Sequence, residues 1–323
     1  MKIRVATVQM ESLNNDYEGN LSRAERHIND AVSKGVKLIL LPEFALVGYE
    51  FTDSIWKMAE PLKGRTYTWV KGLCERHNAY VGTCILENYE GDFYDTFILV
   101  GPGDDALWVH RKIEPASYEA FFFKGAGMNA NVFDTPIARI GVVICLDATK
   151  THTISSLVGA RPEILLVAYS WPDLPSFLPK KDREYWVEAF VSIPKVYAQY
   201  LHIPVVSSNK TGRFVSPVPL LKGLKIEADF TGRSSIIDQN GDVVSSISKD
   251  AGTLVEEVEL GKPDISAGTN IIRKGRWFFP FSRTIKLSCD VPLVFGRIRY
   301  GWSRRRRKAA SQVAFEEPRS LTL

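Results

Sequence analysis

The chain has 323 residues, 45% of them hydrophobic and 24% charged, which is the balance of a globular protein. Its formal net charge is only +4, and five of its cations stand together at Arg304, Arg305, Arg306, Arg307 and Lys308, so the rest of the chain is close to neutral and argues against a nucleic-acid-binding surface. No uncharged apolar run reaches the roughly 18 residues that read as a membrane span. Cys74, Cys84, Cys145 and Cys289 are widely spaced, which suits neither a disulfide framework nor a zinc site, and with only five His residues a multi-histidine metal centre is not expected. A reducing, cytoplasmic setting fits this cysteine usage.

Residues 2–9 (KIRVATVQ) alternate apolar and polar, as a strand does. Asn20 is placed to cap a helix whose apolar face is Leu21, Ala24, Ile28, Ala31 and Val32, and Gly35 ends it. Val36–Leu41 then reads as a buried strand that stops at Pro42. The alternation continues with a helix over about 64–77, strands at 79–86, 93–100 and 106–109, and a strand at 137–145. Next come a helix at 151–159, a strand at 163–169, a long helix at about 182–200 and a strand at 203–208. Gln239-Asn240-Gly241 is an Asn-Gly turn between strands 232–238 and 242–247. This order is that of an α/β fold in one domain, 1–262. Residues 263–323 read as a basic C-terminal extension, with 303–323 poorly ordered or wrapped on a partner. The RRRRK run lacks an amphipathic apolar face and reads as a solvated charge run.

Three strand ends hold the residues that carry chemistry. Glu43 follows the apolar run in LPEFALVGY, Lys112 sits in HRKIEPASYEAFFFKG, and Cys145 closes IGVVICLD where a helix is about to begin. Open α/β sheets place their sites at strand carboxyl ends. Singly, each motif fits a blander reading: an inert core thiol, a solvated loop carboxylate, a lysine of a basic face.

Taken in order over residues 3–260, these segments resemble the nitrilase-like carbon–nitrogen hydrolases. LPEFALVGY looks like that family's glutamate motif, Arg111-Lys112 its lysine motif and ICLD its nucleophile motif. Asn209-Lys210-Thr211-Gly212 and Phe230-Thr231-Gly232-Arg233-Ser234-Ser235-Ile236, with Asp238 and Gly241, match its later segments. The resemblance implies a four-layer α-β-β-α sandwich, subunits paired through helices near the nucleophile as a homodimer or higher homo-oligomer, and no metal or organic cofactor. It implies a Glu43–Lys112–Cys145 centre, with Glu119 as the family's second glutamate. Glu114 competes for that last role, standing two residues after Lys112 where the family usually shows His.

The chemistry explains the combination. A free thiol has a pKa near 8.5, so Cys145 needs activation. Glu43 would take its proton as general base and return it to the leaving amine. A helix starting after Cys145 would favour the thiolate through its dipole. Lys112, with the backbone N–H of Leu146, would stabilise the oxyanion.

Leu146 and Asp147 follow the cysteine where nitrilases of the superfamily usually place Trp and Glu, so Cys-x-Asp is more similar to the amidase and carbamoylase branches. Those branches often carry Arg four residues after the cysteine; here Thr149 stands there, with Lys150 next as a point-charge candidate for an acidic substrate group. Trp171 and Tyr118 are candidate pocket walls that fit core packing equally well. The expected activity is hydrolysis of a carboxamide or N-carbamoyl small molecule. Nitrile hydrolysis on the same residues and a catalytically silent binding protein are the rivals.

Overall fold

The protein is described here by a computed structural model over residues 1–103, 106–128, 131–221, 223–261 and 275–314. Two sheets face one another. The first runs β10 (Lys210–Thr211), β1 (Lys2–Glu11), β2 (Leu38–Leu40), β3 (Tyr80–Tyr89), β4 (Asp92–Val100), β5 (Leu107–Arg111). Strand β15 (Gly252–Glu259) pairs antiparallel with Lys2–Gln9 of β1, leaving Met10 and Glu11 to pair with β10. The second sheet has the order β14 (Val243–Ser246), β13 (Ser235–Ile237), β9 (Val205–Ser208), β8 (Ile164–Ala168), β7 (Arg139–Ile144), β6 (Val132–Asp134). Strands β11 (Arg213–Pro217) and β12 (Lys225–Asp229) form a separate hairpin.

Helices α1 (Tyr17–Ser33) and α2 (Arg65–His77) connect β1, β2 and β3 as parallel neighbours and cover the outer face of the first sheet. Helices α3 (Thr151–Ala160) and α4 (Lys180–Leu201) do the same for β7, β8 and β9. The result is the four-layer α-β-β-α sandwich expected. Strands β7 and β8 are almost uniformly apolar because a parallel strand between two layers has no solvent face. The sheets are tied where the chain passes from β9 into β10: Thr7 Oγ1 donates to Ser207 O at 2.9 Å and Ser208 Oγ to Val8 O at 2.5 Å.

Some local expectations shift. Asp16, not Asn20, caps α1, accepting from Gly19 N at 3.2 Å. Asn20 lies inside the first turn, where its buried amide bonds Leu13 and Leu46 instead. Beyond residue 274 the chain forms α5 (Arg283–Trp302) and α6 (Arg304–Ala314). The expectation of poor order therefore fails over Arg304–Ala314. Ala310 is buried, Arg306 pairs with Asp92 at 2.5 Å, and Asn88 bonds Ala310 O at 3.0 Å, so the basic run is held on the domain. Residues 315–323 of that expectation lie outside the described residues.

Candidate active site

Three loops at strand carboxyl ends converge. Glu43 follows β2 and is held by the end of β8: its N–H donates to Tyr169 O at 3.2 Å, and Ser170 Oγ donates to its carbonyl at 2.7 Å. Lys112 follows β5, its N–H bonded to Asp95 O of β4 at 2.8 Å. Cys145 follows β7 with φ of 48°, so the thiol is carried on a left-handed residue before a short helical turn, Cys145–Thr149. Phe44 (φ 49°) and Ser117 (φ 49°) are left-handed too, beside Glu43 and Glu119. Side chains with a Cβ occupy that region at a cost of about 1–3 kcal/mol, and such strain gathers where geometry serves a site.

The Lys112 ammonium is the hub. Its Nζ donates to Glu43 Oε1 at 2.6 Å and to both oxygens of Glu119, at 2.8 and 3.0 Å. All three side chains are buried. Glu119 also accepts from Tyr49 Oη at 2.6 Å and from Ala116 N at 2.7 Å. Glu119 thus stands on Lys112, whereas Glu114 meets Lys150 at 3.5 Å, Arg276 and Arg297 (2.9 Å).

Burial penalises every charge here, and the neighbours decide the outcome. Burial is the largest influence on Glu43 and works to raise it, but the Lys112 ammonium, the Asp95 hydrogen bond and Lys210 together outweigh it and the carboxyl is held below its ordinary range. Burial works to lower Lys112, but the Glu119 and Glu43 carboxylates outweigh it and push the ammonium well up. Cys145 is pushed well up, by burial and then by Glu43. The resting pair is therefore a carboxylate and a neutral thiol. The helix expected directly after Cys145 is a short turn, Cys145–Thr149, with α3 starting only at Thr151.

Asp147 supports this arrangement from below. Its carboxylate accepts from Ile113 N at 2.8 Å and Glu114 N at 3.3 Å, fixing the backbone just after Lys112. Leu146, next to the thiol, is buried in the same turn, and Thr149 Oγ1 donates to its carbonyl at 2.7 Å. Tyr118 is half-buried and packs on Phe51 at 5.8 Å, in an aromatic wall that also includes Tyr49, Phe214 and Phe230. Trp171 is buried and stacked on Trp186 of α4 at 4.2 Å; its backbone is fixed by Asn209 Oδ1 at 2.9 Å. Lys150 is turned away from the anticipated substrate role toward Glu114, with Nζ 3.2 Å over the Trp277 ring. A cavity of about 920 Å³ lies against Phe51, Trp56 and Phe122, and neither Glu43, Lys112, Glu119 nor Cys145 lines it.

Two buried groups were not singled out from the sequence. Asp95 of β4 lies 3.3 Å from Lys112 Nζ, and one oxygen each from Glu43, Asp95 and Glu119 fall within 4.8 Å of one another. The available signal was a carboxylate inside the strand DFYDTFILV, three residues beyond the Asp92 at its start and ahead of the apolar run that ends it. Lys210, inside the quoted Asn209–Gly212 segment, donates to Gly48 O at 2.9 Å, and burial brings it down to about 7.

Comparison with known proteins identifies the family and the fold. Residues 4–262 match the family model described as carbon-nitrogen hydrolase. A nitrilase of Pyrococcus abyssi is 26% identical over 272 residues, 81% of this chain and 90% of that protein. An N-carbamoylputrescine amidase of Arabidopsis thaliana is 24% identical, over 80% of this chain and 87% of its own. In fold, the chain is similar to a carbon-nitrogen hydrolase from Helicobacter pylori G27, with a TM-score of 0.71 at 16% identity, covering 80% and 90% of the two chains. An amidase from Nesterenkonia AN1 superposes with a TM-score of 0.63 at 15% identity, over 81% and 92%. With its sequence matched across the domain and its strand-end residues gathered around one buried ammonium, the chain belongs to the carbon–nitrogen hydrolase family.

Proposed function

We propose that the protein hydrolyses a carboxamide or N-carbamoyl small molecule through a thioester on Cys145. The observation that carries this reading is the buried Lys112 ammonium, shared by Glu43 and Glu119, beside a neutral thiol and a carboxylate able to take its proton.

Glu43 removes the thiol proton as sulfur attacks the carbonyl carbon. The oxyanion that forms meets Lys112 and the Leu146 N–H. Collapse breaks the C–N bond, and the proton on Glu43 leaves with the amine or ammonia. Water then attacks the thioester; Glu43 takes its proton, the C–S bond breaks, and the proton returns to sulfur. Tyr118 and Trp171 belong to this reading as walls of the substrate site. Cys-Leu-Asp, rather than Cys-Trp-Glu, favours amides over nitriles. Pairing of subunits through the helices beside Cys145 is part of the same reading, and gel filtration tests it.

Ammonia release from matched amides, N-carbamoyl amines and nitriles tests the chemistry, with Cys145→Ala, Glu43→Gln and Lys112→Ala as comparisons. The expected result is turnover of amides or carbamoyl compounds, lost in all three variants. Turnover of nitriles alone would move the assignment to nitrile hydrolysis. Absence of turnover, with Cys145 alkylating no faster than Cys74, would leave a binding protein on this fold.

A further inference from the structure

We infer that Asp95 is a neutral carboxylic acid that donates its proton to Glu43 Oε2, and so acts as a positioning residue for the general base. The inference rests on the proposed roles of Glu43 and Cys145.

An ammonium has three N–H groups and no acceptor. Those of Lys112 go to Glu43 Oε1 and to the two oxygens of Glu119. Asp95 Oδ2 lies 3.3 Å from Nζ but receives no hydrogen bond, and neither does Asp95 Oδ1 or Glu43 Oε2. All three oxygens are buried among atoms that include no donor to them. Three buried carboxylates with oxygens within 4.8 Å of one another and one ammonium between them would leave an uncompensated charge. A proton resolves both problems, because a protonated carboxyl can donate where a carboxylate can only accept.

The choice of residue follows from what each acid already accepts. Glu119 takes hydrogen bonds from Tyr49, Ala116 and Lys112, so its oxygens are occupied. Glu43 holds the short bond to Lys112. Only Asp95, among these three, accepts none. Its environment agrees: burial, and then the Glu43 charge, push it well above the ordinary carboxylate range, against the pull of Lys112. The other ionisable groups facing it are Glu119, Lys210 from β10, and the thiol of Cys84 on β3. With Asp95 and Cys145 neutral, Glu43, Glu119, Lys112 and a charged Lys210 balance.

A donor on Oε2 does two things for a general base. It stabilises the carboxylate form, and it fixes the carboxylate plane so that its remaining lone pairs face the thiol and the incoming water.

Asp95→Asn and Asp95→Ala, read through the pH profile of kcat/KM for ammonia release, test the assignment. Asparagine keeps a donor at the same place. Asp95→Asn is therefore expected to retain activity within about threefold and to leave the acidic limb where it is, since a hydrogen bond is exchanged for its equivalent. Asp95→Ala removes the donor, raises the pKa of Glu43, moves the acidic limb to higher pH and lowers kcat/KM about tenfold to a hundredfold. An ionised Asp95 predicts the opposite for asparagine: removing a negative neighbour would shift the limb to lower pH. That shift overturns the inference.

Infrared difference spectra at neutral pH keep it testable where no substrate turns over. The wild type minus Asp95→Asn difference must show the loss of one protonated-carboxyl C=O band over any that Asp147 contributes to both; a difference without that loss rejects the inference and says nothing against the hydrolase reading. Thermal unfolding of both variants separates a folding defect of the alanine form from the shift in profile.

Discussion

The Tyr49 hydroxyl donates to Glu119 Oε1 at 2.6 Å, joining the last residue of the Glu43 motif to the carboxylate that carries Lys112. Tyr49 itself packs among Phe51, Phe214 and Phe230, so the hydroxyl is aimed by an aromatic cluster rather than by a flexible stem. The Glu43 loop and the Glu119 loop are therefore one mechanical unit around the ammonium.

Removing that hydroxyl tests the unit. Tyr49→Phe keeps the ring packing and deletes one hydrogen bond to a charged group, a loss of about 1.5–3 kcal/mol where it matters. The expected outcome is kcat/KM lowered about tenfold to a hundredfold, with the thermal midpoint lowered by a few degrees while the variant stays folded at assay temperature. An unaltered kcat/KM would show that Glu119 needs no fixing beyond Lys112 and Ala116.

Lys150 separates a binding role from a packing role. Its Nζ sits over Trp277 and 3.5 Å from Glu114, which also holds Arg276 and Arg297. Backbone bonds run alongside, from Phe278 N to Thr149 O at 2.7 Å and from Thr151 N to Arg276 O at 3.1 Å. Lys150→Met replaces a buried cation with an apolar chain of similar length. KM for an acidic amide should stay within about twofold of the wild type, since no uniform binding contact is lost. A large rise in KM confined to substrates bearing a carboxylate would restore Lys150 to the substrate site.

Asp147 gives stability a pH dependence. Burial pushes its carboxyl up to about 7, while an unfolded chain releases that proton near pH 4. Between these values the folded state holds the extra proton. Its contribution is complete below about pH 4 and is lost as pH rises through about 7. Asp147→Asn cannot ionise, so its unfolding free energy should fall less than the wild type's between pH 5 and 7.5. Parallel denaturant titrations at the two pH values measure the difference, and equal slopes would contradict it.

Gly296 couples α5 to the Glu119 segment. A Cβ there would stand 2.7 Å from the Ala120 backbone and 2.9 Å from the Phe121 ring. The helix also accepts from Ser117 Oγ at Ser288 O, 3.0 Å away. Gly296→Ala should displace α5 from residues 117–121 and destabilise the fold by about 1–3 kcal/mol, the usual cost of overpacking. Activity should fall with it, because Ala116 and Glu119 shift together. A variant with unchanged midpoint and rate would show that α5 moves freely over this segment.

How much of this was legible beforehand follows from what kind of signal each residue leaves. Glu43, Lys112, Cys145 and Glu119 stand in short runs beside apolar strands, and the order of those runs pointed to the family and to the sandwich. Strand and helix periodicity placed β1 to β5, β7 to β9 and α1 to α4 within a few residues, because burial on one or both faces writes itself into composition, whereas the three-residue β6 was missed. Helix α5 was harder to read: its buried Ile285, Cys289 and Leu293 recur at helical spacing, but exposed Leu287, Val291, Val294, Phe295 and Ile298 and the interruption at Pro292 blur that face.

The sequence by itself determined which chemical groups the protein has at its strand ends and the layered fold that carries them. Only the tertiary structure decided how those groups share charge: that Glu119 rather than Glu114 stands on Lys112, that Lys150 is turned to Trp277, and that Asp95 completes the cluster. The reason is physical. Periodicity reports whether a residue is buried, whereas the state of a buried acid or base depends on donors and charges a few ångströms away, contributed by strands distant in the chain.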